Sequence, residues 1–423
     1  MTHTSESAAS RWATTIGWAV YLGVSWTWCI GMFLPILLVR DFGFPGYVAF
    51  AVPNVIGAAA MGWVIASPGA SVRFVQKHRA ACCVFGLVTA LFHVAFGLRV
   101  IFPLDAMRDG MPCVVALVLG PIVLARIDRP RTIAAVTYAI SVGTILALTL
   151  NAGLPLPVMD ESADRAAASM RLPMLDVLFL VPACVFGFAL CPYLDLTFHR
   201  ARQQLRGNAG RWGFGLGFGV FFLSMILFTP LYQTLFAPLW VGPGVRPGAL
   251  ILGAVLVHLT AQSVATISFH TRELVRAGHP RAWWAISLLL VAVLAITLLP
   301  RAGAPAPPAL SDPDQRLIWY RLFMSCYGLM FPAYVWLIAI PTADGHSGFA
   351  GPRGRLKIAV LVVSCLLAAP CFWIGFVERQ TWWLGPGMAI VLFARLAVRS
   401  KGRQSPDSNE FSPAAPGSPR PSV

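Results

Sequence analysis

Long apolar segments separated by short polar ones recur along the whole chain, and this pattern predicts membrane-spanning helices. A helix needs about 17 to 25 apolar residues to cross a hydrocarbon core of about 30 Å. Such segments lie at residues 16–39, 46–66, 79–103, 110–126, 131–151, 174–197, 212–236, 248–270, 282–300, 317–341, 357–376 and 381–398. We therefore predict an all-α polytopic membrane protein with about 12 transmembrane helices.

The two ends of the chain lack this apolar pattern. Residues 1–15 are predicted to form a cytoplasmic N-terminal tail, and residues 400–423 are polar and rich in Ser and Pro. A segment of that composition cannot bury enough apolar surface to fold, so we expect the C-terminal tail to be disordered. The helical membrane domain is predicted to extend over residues 16–398.

Composition and charge fit a membrane protein and argue against a nucleic-acid partner. The chain is 57% hydrophobic and 12% charged, whereas soluble domains carry about 25% charged residues. The net charge of +15 comes from small basic clusters between apolar segments, such as Arg126, Arg129 and Arg131. A nucleic-acid interface would gather such residues into one patch or stripe. We expect a lipid bilayer as the partner and no nucleic acid.

The basic clusters also predict the orientation of the chain. Every second connection between apolar segments carries more Arg and Lys than its neighbours, and such connections lie on the cytoplasmic side. The alternation places both termini in the cytoplasm and favours a bacterial cytoplasmic (inner) membrane. An acidic connection on the opposite side contains Asp160, Glu161 and Asp164, which we interpret as a solvated loop or a vestibule that attracts cations.

Two helix-breaking signatures stand at matching places in the two halves of the chain, at 31–35 and 187–192. Bare backbone inside a bilayer is tolerated only where protein or a water-filled cavity surrounds it. The first and sixth apolar segments, which carry the signatures, are five segments apart, so they run in opposite directions. Paired interruptions of this kind indicate an inverted repeat with a binding site between its halves. The alternative is that both signatures are ordinary kinks.

Three stretches of sequence resemble the amino acid–polyamine–organocation superfamily, nearest the sodium:solute symporter family. They are Trp26 to Pro35 with Phe50 to Gly57, Leu190 to Arg200, and Thr260 to Thr266. The resemblance implies a five-plus-five inverted-repeat fold, with residues 16–151 and 174–341 as the repeats and 357–398 as two extra C-terminal helices. It also implies secondary active transport of a small solute, coupled to sodium ions or protons.

The resemblance also implies which residues form the site. Broken helices would bind the solute through Trp26, Cys29, Gly31, Pro35, Gly187, Cys191 and Pro192. Hydroxyl groups of the eighth segment would bind sodium through Thr260, Ser263 and Thr266. The alternative for the hydroxyls is a hydrogen bond to the carbonyl of the preceding turn or to a neighbouring helix.

Ionisable residues within apolar segments are functional candidates because burying them is costly. His93, Asp195 and His258 lie in such segments, and His199 follows Asp195 by about one helical turn. Asp195, His199 and His258 form our candidates for gating or a proton relay. Asp195 and His199 could instead pair with Arg200 or Arg202 at the membrane surface, and His258 could serve packing alone.

The chain lacks the HExxH, GxSxG, Walker and CxxC patterns of common enzymes. We expect a non-enzymatic transporter without an organic cofactor, alternating its access to a site between segments one, three, six and eight. A neutral or zwitterionic solute is favoured, because no buried Arg marks a charged one. The alternatives are a membrane-embedded enzyme of transferase type and a non-transporting membrane sensor or scaffold.

Overall fold

The computed structural model describes residues 7–102, 112–152, 173–230, 249–298, 313–341 and 351–398, and these ranges are mainly helical. The helices are α1 Ala8–Trp26, α2 Cys29–Val64, α3 Pro68–Lys77, α4 Arg79–Phe96, α5 Pro112–Leu124, α6 Pro130–Ala152, α7 Pro173–Leu190, α8 Leu196–Gln204, α9 Asn208–Leu216, α10 Leu223–Leu227, α11 Ala249–Arg276, α12 Arg281–Leu298, α13 Pro313–Tyr334, α14 Gly351–Phe376 and α15 Leu384–Val398. Tighter or wider turns extend some of them, at Gly97–Ile101, Cys191–Leu194, Gly217–Phe222, Val335–Ala339 and Thr381–Trp383.

The prediction of an all-α polytopic membrane protein is confirmed. Nine helical segments in the described ranges are long and apolar enough to cross a membrane, and Pro112–Leu124 and Arg281–Val293 are shorter apolar helices. Large apolar side chains such as Leu288, Leu366 and Phe393 are exposed on the outside of the bundle. A soluble protein rarely exposes so much apolar surface, whereas a lipid bilayer covers it.

The first apolar segment is divided into two helices, and it begins earlier than predicted. Helix α1 starts at Ala8, capped by the Ser7 hydroxyl, which accepts from the Ser10 amide at 3.2 Å. Residues 8–15 are therefore helical and continuous with α1, and the cytoplasmic location of the tail stays a prediction. The C-terminal tail at 400–423 lies outside the described residues. Helix α1 ends at Trp26 and α2 starts at Cys29, so the chain is interrupted inside the apolar segment.

This interruption lies before the predicted signature. Gly31 and Pro35 both lie within helix α2, so the prediction of a break at these residues was wrong. The conformations that depart from the helix belong to Thr27 and Trp28. Gly31 lies in the first turn of α2, where the amides lack intrahelical partners in any case. Pro35 lies beyond that turn, and membrane helices accommodate such a Pro because neighbouring groups satisfy the backbone groups that it frees. The connection between the predicted segments 16–39 and 46–66 is a kink within α2 at Gly43, where φ is 66°.

A second interruption divides the sixth apolar segment. Helix α7 ends at Leu190, a 3₁₀ turn covers Cys191–Leu194, and Asp195 is extended, with φ −79° and ψ 111°. Gly187 lies inside α7, so the break overlaps the predicted signature only at Cys191 and Pro192. The helix resumes as α8 and continues to Gln204, beyond the end of the predicted segment at residue 197.

Close packing between α2 and α7 joins the two halves of the chain. At Gly57 of α2, a Cβ atom would clash with the carbonyl oxygen of Phe188 and would lie 2.9 Å from the Cα of Ala189. Helix α11 packs against α4, α5 and α6, and α1 packs against α9 and α6. Small residues allow such close backbone contact between membrane helices.

We predict that Gly57→Ala destabilises the protein by about 1–3 kcal/mol, because the added methyl group pushes α2 away from the α7 backbone. Thermal unfolding of the purified protein in detergent measures the change. Gly143→Ala in α6 is the matched control, since a Cβ there meets nothing within 4 Å and Ala favours a helix more than Gly does. Equal unfolding temperatures for both variants would contradict the proposed packing constraint.

Candidate functional site

The two interruptions of the helices lie beside each other in the middle of the fold. The ring of Trp26, at the end of α1, lies 4.9 Å from the ring of Phe198 in the first turn of α8. Trp28 lies 5.8 Å from Trp26 and 5.1 Å from Tyr327 of α13. All four rings are buried. The meeting of the two breaks therefore defines a buried aromatic region, which we call the break region.

Side chains from three helical segments hold the backbone and ring at the first break. Trp26 Nε1 donates to Asn54 Oδ1 at 2.6 Å. The backbone amide of Cys29 donates to His93 Nε2 at 3.1 Å, and the Cys29 carbonyl accepts from the Tyr320 hydroxyl at 3.0 Å. These bonds satisfy polar groups that the interrupted helix leaves open, which a membrane interior requires. The break is consequently stabilised by hydrogen bonds from side chains of α2, α4 and α13.

The hydrogen bonds of His93 define its protonation. Its Nδ1 lies 2.8 Å from the carbonyl oxygen of Thr89, which can only accept, so Nδ1 carries the hydrogen. Nε2 must then be unprotonated to accept from the Cys29 amide. The ring also stacks on Trp28, at 5.7 Å and 28°. His93 is therefore a neutral residue that caps the first turn of α2.

Asp195 forms the centre of the second break. Its Oδ1 accepts from the amide and the hydroxyl of Thr197, at 2.8 and 2.7 Å, and so caps helix α8. Its Oδ2 is buried and has no hydrogen-bond partner among the described residues. The suggested pairing of Asp195 with arginine is wrong in this structure: Arg202 donates to the carbonyls of Ile65 and Leu205 instead, at 2.6 and 2.5 Å.

The other two relay candidates, His199 and His258, have separate surroundings. His199 Nδ1 lies 2.8 Å from Ser71 Oγ and its Nε2 lies 2.9 Å from the Tyr193 carbonyl, so its side chain does not bond to Asp195. His258 is buried on α11. Roles of these residues in gating or proton transfer stay predictions.

Helix α13 contributes a tyrosine to each break. Tyr320 bonds to Cys29 at the first. Tyr327 lies two helical turns further on, beside the thiol of Cys191 at the second, and is close enough to Asp195 to interact with it electrostatically. Residues seven apart share a face of a helix. Sequence reasoning missed both tyrosines, because only a partner distant in the sequence distinguishes them from other aromatic residues of α13.

The hydroxyl groups predicted to bind sodium are buried on α11. The hydroxyls of Thr260, Ser263 and Thr266 form no hydrogen bond with any described residue. The alternative of back-bonding to the preceding turn is seen at Ser268, which donates to the Val264 carbonyl, and not at these three. Helix α11 meets α1 where Phe269 packs on Tyr21, at 4.7 Å. Whether the three hydroxyls bind an ion stays a prediction.

The remaining predicted solute-binding residues are unequally placed. Trp26, Cys29, Cys191 and Pro192 lie at the breaks, and all four are buried. Gly31, Pro35 and Gly187 lie within the helices α2 and α7 and have helical backbone conformations. The acidic residues of the connection at 160–164 lie outside the described residues.

Different contacts cover the two ends of the break region. At one end, which we call the Asp41 end, Asp41 of α2 pairs with Arg321 of α13 at 2.7 Å, and Arg379 lies 3.7 Å away. Asp41 and Arg321 are both largely buried, with side-chain exposures of 1% and 9%.

At the opposite end, which we call the His199 end, α3 covers α8 and α13. Phe74 stacks on His199 at 5.2 Å, and His78 Nδ1 lies 3.0 Å from the Tyr334 hydroxyl. Burial, assisted by the charge of Lys77, lowers the pKa of His78 to about 4. His78 is therefore neutral at physiological pH, as a contact inside a closed interface requires.

These features define an all-α integral membrane protein in which two interrupted helices meet at a buried region covered at both ends. No protein-family model, curated protein or solved structure matches this chain significantly.

We predict that His93→Phe destabilises the protein by about 1–3 kcal/mol, because it leaves the buried Cys29 amide without an acceptor. His93→Gln should cost less, since its side-chain carbonyl can accept the same hydrogen bond. Unfolding in detergent, followed by tryptophan fluorescence, gives both values. Equal losses for the two variants would show that ring packing on Trp28, and not the cap, is what His93 provides.

Proposed function

We propose that this protein is a secondary active transporter of a small solute, with sodium- or proton-coupled symport by alternating access. The observation that carries the proposal is the meeting of two interrupted helices in one buried region. Paired interrupted helices at the middle of a bundle form the binding sites of many transporters. The likeness of the sequence to the sodium:solute symporter family supports the same proposal.

The proposed architecture is a five-plus-five inverted repeat. Helices α1 to α6 would form the first repeat and α7 to α13 the second, with α14 and α15 as the two extra helices of a twelve-span protein. Each proposed repeat starts with the helix that is interrupted, at Trp26–Cys29 in one and at Leu190–Asp195 in the other. Both termini would then lie on the cytoplasmic side of a bacterial inner membrane.

The two covered ends supply what alternating access needs. Opening the Asp41 end requires separation of Asp41 from Arg321, whereas opening the His199 end requires α3 to leave α8. These contacts involve different side chains, so one end can open while the other stays closed. The structure, closed at both ends, corresponds in this mechanism to the occluded intermediate.

The break region suits a small ligand without a net charge. Helix α1 ends and α2 begins there, and the ends of helices carry partial charges that attract polar groups. A neutral or zwitterionic solute can use these ends without arginine. Thr260, Ser263 and Thr266 are the proposed ligands if the coupling ion is sodium.

A non-transporting membrane sensor or scaffold is the second candidate. It is favoured by the dense filling of the break region, where Trp28 and Tyr327 are exposed by only 1% and 4%. A sensor would need no passage for a solute. Transport and sensing differ in whether a solute crosses the bilayer, which an uptake experiment measures.

We predict that the protein in proteoliposomes takes up at least one solute of a broad panel of amino acids, sugars and nucleobases. The imposed gradients are sodium alone, protons alone, or neither. Tyr320→Phe should lower uptake about fivefold, because loss of a hydrogen bond of about 1 kcal/mol disturbs the first break.

Tyr138→Phe is the matched control for uptake, since Tyr138 bonds to Ser224 at 2.9 Å and lies outside the break region. It should stay within about twofold of the wild type, a loss below about 0.5 kcal/mol. Absence of uptake for the entire panel under every gradient would refute the transporter proposal and favour the sensor or scaffold.

A further inference from the structure

We propose that Oδ2 of Asp195 binds the coupling ion of this transporter, and that the ion is a proton. The inference rests on the proposed function and adds the identity of the ion and the atom that carries it. It starts from an asymmetry between the two oxygens of one carboxyl group. Oδ1 accepts both hydrogen bonds from Thr197, whereas Oδ2 accepts none from the described residues.

No cation of the described part of the chain neutralises Asp195. Its side chain is fully buried and forms no ion pair there. The nearest candidates on α8 are occupied or directed elsewhere: Arg202 donates to two backbone carbonyls, and the Arg200 guanidinium lies 5.9 Å from the ring of Trp18. A buried carboxylate without a cation or a full set of donors is costly, so a bound positive ion stabilises this site.

Titratable groups of three other helices lie near Asp195. Tyr21 of α1, Cys82 of α4 and Tyr327 of α13 interact with it electrostatically, and Cys191 precedes it in the same break. None of these four carries a positive charge.

The more distant charges of α11 do not supply a counter-ion to Asp195. Glu273 and Arg276 interact electrostatically with Tyr21, and they pair with each other at 2.6 Å. His199, on α8 with Asp195, bonds to Ser71 and Tyr193, and its side chain does not bond to Asp195.

The chemistry of these neighbours favours a proton over sodium. Sodium is a hard cation that requires several oxygen ligands, whereas the sulfur of a thiol is a soft ligand. Two of these four neighbouring groups are the thiols of Cys82 and Cys191. A proton needs one lone pair, which Oδ2 provides, and no cavity among packed rings.

Proton binding at this atom acts directly on one of the covered ends. A hydronium ion transfers its proton to Oδ2, one O–H bond forms, and a water molecule leaves; release to the other side reverses the step. Neutral Asp195 caps α8 more weakly than the carboxylate does, because the helix N-terminus attracts negative charge. Helix α8 carries His199, which contacts α3, so the bound proton loosens the half-helix that closes this end.

Infrared spectroscopy of the purified full-length protein tests the proposal without any solute. Aspartate carrying ¹³C in its side-chain carboxyl is incorporated, and the protonated-carboxyl band is followed as pH falls, in sodium and in potassium buffers. We expect a band that grows with acidification and shifts with the label. It should be the same in both salts, absent in Asp195→Asn, and insensitive to the label in Asp195→Glu.

Asp176→Asn in α7 is the matched control, because Asp176 accepts from Thr381 at 2.5 Å and lies at the far end of the same interrupted segment. It should retain the band. The proposal is overturned if sodium abolishes the band. It is also overturned if a label-sensitive band persists in both Asp195→Asn and Asp195→Glu.

The two proposals fail in different ways. Uptake driven by sodium and insensitive to the proton gradient would refute the proton site and leave the transporter intact. Asp195→Asn should lose proton-driven uptake at least tenfold, while Asp176→Asn stays within twofold of the wild type. If no solute is taken up but the Asp195 band titrates as expected, the site binds protons and the transport proposal fails.

Discussion

The structure depends on one constraint: an interrupted helix inside a membrane must find partners for its backbone groups within the protein. At the first break the amide and the carbonyl of Cys29 use His93 and Tyr320. Because these partners lie on α4 and α13, the interruption is possible only in the assembled bundle. The break is therefore a feature of the tertiary structure. It requires α4 and α13 to lie where their side chains can bond to the backbone of Cys29.

The sequence predicted the elements better than it predicted their interruptions. Apolar length alone located α4, α6 and α11 within a few residues at their starts. The first break was expected at Gly31–Pro35 and lies at Thr27–Trp28. Helix propensity is a local property, whereas the break is decided by groups distant in the sequence. At the second break, Cys191 and Pro192 were predicted because Pro interrupts a helix locally.

The polar residues illustrate the same limit. Burial of Asp195 followed from its position in an apolar segment, yet nothing local distinguished a pairing with Arg202 from an unpartnered oxygen. The structure distinguishes these two alternatives, because the Arg202 guanidinium donates to the carbonyls of Ile65 and Leu205 and not to Asp195. His93 shows the reverse case. The sequence marked it as ionisable, and its two hydrogen bonds make it a neutral cap.

Helix α13 links all parts of this arrangement along a single face. Tyr320, Tyr327 and Tyr334 follow at intervals of seven residues, or about two turns, and touch the first break, the second break and His78 in that order. Arg321, next to Tyr320, closes the Asp41 end. Side chains of this single helix therefore contact both breaks and both ends of the break region. Because these side chains belong to one helix, a displacement of α13 at one of these contacts changes the geometry at the others.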